Sequence, residues 1–547
     1  MLGKMMNTPL LVSDLIKHAD RYHGDTLVVS CETDGSTTES NWSEIHSNSK
    51  RLANALMALG LEQQDRVATI AWSNRRHLEI WYGVSGSGLV CHTINPRLFP
   101  EQLIYIINDA DDKVVFFEDT FLPLIQAIKP ALPNVEKFVC MTAPNEKVLA
   151  AIPDVIFYDD LVNAQSDDFE WPILDENQAS SLCYTSGTTG NPKGVLYTHR
   201  TTIIHTYAIS LPDAIGMSAQ DIVMPVAPMF HANSWGLPYS TALAGAALIL
   251  PGPKLDGDSL VTLIDTYQVT LALGVPTIWK GLIDAAKARG SKLSSLNRTG
   301  IGGTPCPESM FRTLRDDFDS DTIHAWGMTE MSPLGTMNRT VKLKHKDLND
   351  DEMVARRMMQ GRPSFGVELR IVDGEDNNRL LPNDGIARGN IQARGYWVMD
   401  TYFGFEESAL EPDGWFDTGD IASIDEDGYV TIRDRAKDLI KSGGEWISSV
   451  ELEAIALNHP AINLAAAVGA YHPKWDERPV VIISVNPGHE VSEKELLDLY
   501  KENVASWQVP EKIIFVDELP VSGTGKIDKK ALRQQYDNIL AQRPELG

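Results

Sequence analysis

The sequence predicts an α/β protein with a large amino-terminal domain of stacked α/β layers, a small β subdomain and a small α+β domain at the carboxyl end. Three observations lead to this prediction. The chain has 547 residues, too many for one hydrophobic core, because domains typically hold about 100–200 residues. Short apolar segments alternate with amphipathic ones through the first half. The pattern then changes after about residue 360 and again near residue 434.

The first half alternates strands and helices, as parallel α/β layers do. The segment WSEIHSNSKRLANALMALG repeats Ile45, Leu52 and Leu56 at helical spacing, and Gly60 ends it. Short apolar strands are predicted at RVATIAW (66–72), KVVFFED (113–119), KFVCM (137–141), VIFY (155–158), ASSLCYTS (179–186), DIVMPVAP (221–228), AALILPG (246–252) and TLALGVP (270–276).

Beyond residue 360 the segments GVELRIVD, GNIQARG and GYVTIRD alternate with Asp/Gly turns, which predicts a small antiparallel sheet. The charged, glycine-ended segment DRAKDLIKSGG (434–444) follows. After it come a helix, two strands, a helix, a strand and a final helix, enough for a small α+β domain. We therefore divide the chain into residues 1–434 and 435–547, with a hinge near Lys437.

Composition argues against several functional classes. The 48 Lys and Arg against 75 Asp and Glu give a net charge of −27, which disfavours nucleic acid or an anionic membrane as partner. Five scattered cysteines without a CxxC pair argue against a disulfide scaffold or a zinc site. The amino terminus lacks a convincing signal peptide, and no apolar stretch approaches the ~20 residues that span a bilayer. We expect a cytoplasmic protein acting on small molecules, and a homodimer is compatible with the sequence.

The strongest functional signal is YTSGTTGNPKGVLYTH (184–199), which follows an apolar strand and precedes a helical stretch. Its glycines permit close backbone approach, so successive N–H groups can bind phosphate oxygens. Hydroxyl groups add donors, and Lys193 adds positive charge. It is not a Walker A loop, because Gly194 rather than Ser or Thr follows the lysine. The predicted phosphate-binding residues are Thr185, Ser186, Gly187, Thr188, Thr189, Gly190 and Lys193.

With five further motifs in the same order, this segment resembles the signature of adenylate-forming enzymes, the superfamily of acyl-CoA synthetases, nonribosomal-peptide adenylation domains and firefly luciferase. The further motifs are GGTP (302–305), WGMTE (326–330), GWFDTGD (414–420), DRAKDLIKSGGEWIS (434–448) and VSGTGKIDKKALR (521–533). The resemblance runs from about residue 10 to about residue 535. It implies the adenylate-forming fold with a mobile carboxyl-terminal domain, and ATP, Mg²⁺ and coenzyme A as the molecules bound.

The resemblance also implies roles for individual residues. Trp326 falls where the family stacks adenine, and Asp420 matches the carboxylate that holds the ribose hydroxyls. Glu330 and Thr185 match the carboxylate and hydroxyl beside Mg²⁺. Lys526 matches the mobile lysine that bridges the acid and the α-phosphate. The other nucleotide-binding residues implied are Gly302, Gly303, His324, Ala325, Thr329, Arg435, Lys437, Lys441 and Trp446.

Acyl and coenzyme A sites are implied in the same way. His231, in PMFHANSWG, matches a segment beside the acyl pocket, and Trp235 would close one wall of that pocket. Gly443 and Gly444 would let the pantetheine arm of coenzyme A approach the backbone. The predicted acyl pocket comprises His231, Trp235, Gly302 and Met331, and the predicted catalytic residues are Lys526, Glu330, Lys193 and His231.

The implied reaction is attack of a carboxylate on the α-phosphorus of ATP, followed by attack of the coenzyme A thiol on the acyl-adenylate, which expels AMP. Trp446 stands where many members carry Asn, a variant familiar from long- and medium-chain acyl-CoA synthetases. The segments FHANSWG, WGMTEMSPLGT and SGGEWISS most resemble bacterial 3-methylmercaptopropionyl-CoA ligases of dimethylsulfoniopropionate degradation. The alternative is a medium-chain fatty-acyl-CoA synthetase.

Three functions of other kinds are weighed against this one. An adenylation module that loads a carrier protein is disfavoured because no carrier-like Ser motif follows Lys526. A catalytically silent relative is disfavoured because both Lys526 and Glu330 are present. A luciferase-type oxidation is possible on the same scaffold, but no feature of the sequence calls for it.

Overall fold

The computed structural model describes residues 1, 3–185, 191–374, 376, 379–443, 445–521 and 526–541. The α-helices in these ranges are α1 Val12–His23, α2 Trp42–Ala58, α3 Arg75–Gly86, α4 Pro100–Asp109, α5 Leu122–Ile128, α6 Glu146–Ala151, α7 Tyr158–Asn163, α8 His199–Ser210, α9 Leu237–Ala244, α10 Gly257–Tyr267, α11 Pro276–Arg289, α12 Glu308–Phe318, α13 Asp350–Met358, α14 Ser449–Leu457, α15 Glu493–Asn503 and α16 Lys529–Tyr536.

The strands in the same ranges are β1 Leu27–Cys31, β2 Thr37–Asn41, β3 Arg66–Ile70, β4 Val90–Thr93, β5 Asp112–Phe117, β6 Lys137–Cys140, β7 Ile156–Phe157, β8 Ala179–Tyr184, β9 Gly194–Thr198, β10 Ile222–Pro225, β11 Ala247–Leu250, β12 Leu271–Gly274, β13 Arg298–Ile301, β14 Asp321–Gly327, β15 Leu334–Asn338, β16 Arg362–Pro363, β17 Val367–Val372, β18 Gly389–Gly395, β19 Phe416–Ile424, β20 Val430–Arg435, β21 Ile440–Ser442, β22 Glu445–Ile447, β23 Ile462–His472, β24 Asp476–Val485 and β25 Lys512–Phe515.

Two large sheets, built mainly from parallel strands, organise the first part of the chain. One has the strand order β7-β6-β5-β3-β4-β8-β9, and only its edge strand β9 runs antiparallel to its neighbour. The other has the order β16-β15-β14-β13-β12-β10-β11-β1-β2, with antiparallel strands at both edges. The parallel interior agrees with the predicted alternation of strands and helices.

Helices cover both faces of each large sheet. In β5, Val114 and Phe116 pack into the core formed with α2 and α3 between the sheets. Val115 and Phe117 point the other way, into the core formed with α4 and α5. Strands buried on both faces need apolar side chains at every position, which is why the segment KVVFF shows no polar alternation. The prediction of stacked α/β layers is confirmed.

The two smaller sheets follow in the chain. Strands β17 to β20 form an antiparallel sheet in sequence order, which is the predicted β subdomain. Strands β21 to β25 form the last sheet. In β23, Ala465 and Ala467 face the core shared with α14 and α15, whereas Ala466 and Val468 face the core that Leu532 of α16 completes. The predicted small α+β domain is thus present.

Candidate functional site

A cavity of about 760 Å³ lies at the carboxyl ends of β12, β13 and β14, where the predicted motifs meet. Loops that follow parallel strands gather at this edge of a sheet, which is where α/β proteins usually bind ligands. The predicted site residues that line the cavity are Thr185, Lys193, His231, Trp235, Gly302, Gly303, His324, Ala325, Trp326, Thr329, Glu330, Asp420, Arg435, Lys437 and Lys526.

Strands β8 and β9 hold the two ends of the predicted phosphate loop together. The backbone N–H of Thr185 donates to the carbonyl of Lys193 at 2.9 Å. The Lys193 N–H in turn donates to the Thr185 hydroxyl at 3.2 Å. The Lys193 ammonium lies 4.7 Å from the ring centre of Tyr402, a cation–π distance. The predicted residues Ser186, Gly187, Thr188, Thr189 and Gly190 lie outside the described residues.

Glu330 is a buried carboxylate that contacts the same Tyr402 side chain as Lys193. Its Oε1 accepts a hydrogen bond from the Tyr402 hydroxyl at 2.9 Å. Burial raises the pKa of the Glu330 carboxyl, because the hydrogen bond from Tyr402 and the charge of Arg435 compensate the loss of solvent only in part. A cation at this carboxylate would supply that compensation.

The surroundings of Glu330 fit Mg²⁺ that arrives with a phosphate ligand. The described residues contain no group of three or more His, Cys, Asp or Glu side chains able to hold a metal by themselves. Mg²⁺ is commonly bound by one or two carboxylates, with substrate phosphates and water completing its coordination. One buried carboxylate near the ends of the predicted phosphate-binding segment, Thr185 and Lys193, is sufficient for such a site.

Trp326 and Asp420, which both line the cavity, are linked by a hydrogen bond. The indole Nε1 of Trp326 donates to Asp420 Oδ2 at 2.8 Å. The guanidinium Nε of Arg435 lies 3.2 Å from the other oxygen of Asp420. The antiparallel register of β19 and β20 places Asp420 directly opposite Arg435. The three side chains therefore form one connected wall of the cavity.

His324 belongs to the same wall and is neutral. Its Nδ1 lies 2.8 Å from the Met358 carbonyl, so this nitrogen carries the proton. Burial lowers the pKa of His324 to about 4. The imidazole is thus a fixed, uncharged part of the cavity lining.

Lys526 reaches the cavity from the carboxyl-terminal domain. Its Cε lies 3.3 Å from the place a Cβ on Gly303 would occupy, and Gly303 itself has a φ of +82°. Only glycine combines this backbone conformation with so close a neighbour. Burial lowers the pKa of Lys526 to about 8, and the positive charges of Arg435 and Lys437 add to the effect. The ammonium is thus held inside the cavity beside other cations, an arrangement suited to a multiply charged anion.

Trp235, which lines the cavity, lies in a turn of left-handed backbone conformation. Residues Ala232, Asn233, Ser234, Trp235 and Gly236 all have φ between 42° and 79°. Asn233 anchors the turn by donating from Nδ2 to the Ser181 hydroxyl at 2.9 Å. The indole that results from this placement lies 3.4 Å from the place a Cβ on Gly302 would occupy. No local sequence pattern predicted this turn.

Some predicted residues lie outside the cavity lining. Met331 is completely buried in the core, whereas Met328 and Met337 line the cavity. Lys441 and Trp446 face each other on β21 and β22, with the ammonium 5.6 Å from the indole centre. The Gly443 N–H donates to the Trp475 carbonyl at 2.7 Å, and Gly444 lies outside the described residues. The roles of these residues remain predictions.

Sequence reasoning missed several residues that shape the site. Tyr402 holds Glu330, and the Tyr197 hydroxyl donates to the Thr329 carbonyl at 2.7 Å. Asn233 fixes the left-handed turn. Each of these residues contacts a partner that is far away in the sequence. The sequence therefore offered only a weak signal for them, namely a polar residue next to an apolar segment.

In a comparison with known proteins, both parts of the chain match family models. A family model described as AMP-binding enzyme matches residues 15–403, and one described as AMP-binding enzyme C-terminal domain matches residues 451–526. The 3-methylmercaptopropionyl-CoA ligase of Ruegeria lacuscaerulensis is 57% identical, covering 99% of this chain and 100% of the relative. The medium-chain-fatty-acid–CoA ligase of Ectopseudomonas oleovorans is 53% identical, covering 99% and 98%.

A solved structure of similar fold is that of the anthranilate CoA ligase AuaEII in complex with anthranoyl-AMP. It superposes with a TM-score of 0.86 at 25% identity, covering 98% of this chain and 99% of that one. The likeness therefore extends over both the large sheets and the carboxyl-terminal sheet.

Proposed function

This chain belongs to the family of AMP-binding enzymes and is an AMP-forming acyl-CoA synthetase that uses ATP, Mg²⁺ and coenzyme A, and from that premise we propose that its acid is 3-methylmercaptopropionate. Relatives with that activity in their names are 57% and 55% identical over the full chain. The observation that carries the proposal is the position of the Trp235 indole, which lines the cavity 3.4 Å from the place a Cβ on Gly302 would occupy. An indole at this position would end the acyl pocket after a short chain. The thioether side chains of Met328 and Met337 give the lining a soft, polarisable character.

The proposed first half-reaction depends on positioning and charge rather than on a protein nucleophile. Trp326 stacks against adenine, and Asp420 holds the ribose hydroxyls. Lys193 and the residues of its loop bind the phosphates, with Glu330 and Thr185 at Mg²⁺, which supplies charge neutralisation. Lys526 donates hydrogen bonds between the carboxylate and the α-phosphate as negative charge moves onto pyrophosphate.

The proposed second half-reaction requires a rotation of residues 435–547 about Lys437. The cores beyond the proposed hinge contain no described residue from before Ile440. Polar contacts cross the division: the Ser449 hydroxyl donates to Asp434 at 2.8 Å, and the Ser448 hydroxyl donates to the Arg433 carbonyl at 2.6 Å. Polar contacts of this kind can exchange at modest cost, as in interfaces between domains that move. After rotation, Gly443 and Gly444 would approach the thiol arm of coenzyme A.

The acid is tested by measuring AMP release with ATP and coenzyme A over straight-chain C2–C12 acids and 3-methylmercaptopropionate. We expect the highest kcat/KM for 3-methylmercaptopropionate. A tenfold preference for C8–C10 acids would replace this proposal by the medium-chain alternative. Absence of AMP release with every acid, together with transfer to a carrier protein, would support the adenylation-module alternative.

Trp235→Ala should shift the acid preference toward longer chains. Burying one further CH₂ is worth about 0.8 kcal/mol, so each carbon that gains apolar contact should raise kcat/KM roughly threefold to fourfold. The short acid 3-methylmercaptopropionate should lose most, because it loses its end wall. The measurement is the kcat/KM series over C3–C10, with Trp507→Ala, an exposed indole of the other domain, as the control. An equal proportional loss for all acids would assign Trp235 to the core instead.

Adenylate formation should decline as the pH rises through about 8. Burial lowers the pKa of Lys526 to about 8, so its ammonium is charged below that pH and loses its proton above it. The kcat/KM for ATP reports groups of the free enzyme and is followed by ATP–pyrophosphate exchange between pH 6 and 10. Lys526→Arg should move the falling limb to higher pH, because guanidinium stays protonated. A limb that stays near pH 8 in this variant would belong to another group.

A further inference from the structure

Asp434 is a buried carboxylate at the junction between the two parts of the chain. It lies on β20 directly before Arg435, which pairs with Asp420 in the cavity wall. Its Oδ1 accepts the Arg435 backbone N–H at 2.7 Å, and its Oδ2 accepts the Ser449 backbone N–H at 2.6 Å. The Ser449 hydroxyl lies 2.8 Å from the same Oδ2 and donates to it. Asp434 therefore joins the strand that carries Arg435 to the first turn of α14.

Lys529 extends this chain of contacts to α16. Its ammonium donates to the Ser449 hydroxyl at 2.7 Å and pairs with Glu453 Oε1, also at 2.7 Å. Both partners belong to α14, with Ser449 as its first residue and Glu453 about one turn later. Lys529 is itself the first residue of α16. Its ammonium therefore holds the start of α16 against the start of α14.

Lys526 lies three residues before Lys529, in the segment that leads into α16. Three residues span at most about 11 Å, so the two lysines cannot move far apart. The segment between them is itself held, because the Asp528 N–H donates to the Pro520 carbonyl at 2.8 Å. A displacement of Lys529 would therefore displace Lys526, whose Cε lies close to Gly303 in the cavity.

Charge stabilises the same arrangement across the division of the chain. Burial raises the pKa of Asp434, and the positive charge of Lys529 and the hydrogen bonds from Ser449 oppose this rise. Burial acts to lower the pKa of Lys529, but the charges of Glu453 and Asp434 outweigh burial and raise that pKa. Ser449 lies between the two charged groups and contacts both. A rotation about Lys437 would carry Ser449 and Lys529 away together and leave the carboxylate behind.

We propose that Ser449 is a positioning residue for adenylate formation, whose hydroxyl holds Lys529, and hence Lys526, in place relative to the cavity wall. The inference rests on the role proposed above for Lys526. After the rotation the hydroxyl no longer contacts Asp434 and contributes nothing to the transfer to coenzyme A. Ser449 therefore supports the first half-reaction and not the second.

The test is Ser449→Ala, assayed separately in the two half-reactions. We expect kcat for ATP–pyrophosphate exchange to fall about threefold to tenfold, because the hydrogen bonds of one hydroxyl are lost. The KM for ATP and thioester formation from supplied acyl-AMP should stay within about twofold of the wild type. Ser449→Thr, which keeps the hydroxyl, should restore exchange to within about twofold.

The matched control is Ser492→Ala. Ser492 precedes α15 in the same domain, and its side chain accepts the Glu495 N–H at 3.2 Å, so the variant removes a serine hydroxyl from a helix start. It should change the ratio of the two half-reaction rates by less than about twofold. Both rates are measured on one preparation, so a smaller folded fraction lowers them equally and cancels from the ratio.

The same substitution in a Lys526→Ala background decides whether Ser449 acts through this lysine. Ser449→Ala should lower exchange by less than about twofold there, since no ammonium remains to be positioned. Unchanged exchange in Ser449→Ala alone, an equal loss in both half-reactions, or a further loss of threefold or more in the Lys526→Ala background would overturn the inference. Unchanged exchange in Lys526→Ala alone would instead overturn the proposed role of Lys526.

Discussion

Lys526→Ala should reduce adenylate formation by roughly 10²–10³-fold while leaving thioester formation from supplied acyl-AMP within about threefold of the wild type. The reason is the position of the ammonium, which lies against Gly303 inside the cavity. In that position it can stabilise charge in the first half-reaction only. ATP–pyrophosphate exchange measures the first step, and coenzyme A thioester formation from synthetic acyl-AMP measures the second.

Lys494→Ala is the matched control, because this lysine is exposed on α15 of the same domain. It removes the same charge and should change neither step. Unchanged pyrophosphate exchange in Lys526→Ala would refute the assignment. An equal loss in both half-reactions would mean that the lysine supports the domain rather than the reacting groups.

Lys437→Pro should have the opposite effect to Lys526→Ala: it should block thioester formation and spare adenylate formation. Proline fixes φ near −65° and removes the N–H, so a residue whose torsions must change during rotation is frozen. In this structure the segment is held on both sides: the Ala436 N–H donates to the Gly419 carbonyl at 3.0 Å, and Asp438 pairs with Arg533. We expect near-normal acyl-AMP formation and a loss of transfer to coenzyme A of at least about a hundredfold.

The control is Lys437→Ala, which removes the charge near Lys526 but keeps the backbone free. A rapid-quench experiment that follows acyl-AMP and acyl-CoA separately distinguishes the two variants. If Lys437→Pro slows both steps to the same degree, the pivot lies elsewhere in residues 434–444. If Lys437→Ala also blocks transfer, the charge rather than the torsion is responsible.

The sequence predicted the layers well because their physical cause is local. Apolar runs such as KVVFF are buried on both faces, and the alternation of short strands with helices follows from the periodicity of side chains. The site residues were predicted through motifs that are themselves contiguous segments. WGMTE begins at the end of β14 and GWFDTGD runs into β19; these strands belong to different sheets, and the packing of one sheet near the other brings Trp326 and Asp420 together.

What the sequence did not predict arises from contacts between distant segments. The hydrogen bond from Tyr402 to Glu330 joins residues 72 positions apart. Met331 is fully buried whereas Met328 is only partly buried, and this difference depends on the single turn of backbone between them. Nε2 of His205 makes no hydrogen bond to any described residue, which can be recognised only once the neighbours of α8 are known. Such features have no periodicity and no motif, so only three-dimensional structure can show them.

The left-handed turn at residues 232–236 has a thermodynamic consequence for the whole enzyme. A non-glycine residue other than Asn or Asp in this conformation is destabilised by about 1–2 kcal/mol, and Ala232, Ser234 and Trp235 are three such residues within four consecutive positions. Their combined strain is a substantial part of the net stability of an ordinary domain, about 5–15 kcal/mol. Selection for heat resistance alone would therefore tend to place glycine at Ala232, where no side-chain hydrogen bond would be lost. Such a substitution would raise the melting temperature but leave Trp235 less firmly positioned. Thermal stability and selectivity for the acid are therefore in conflict at this one segment.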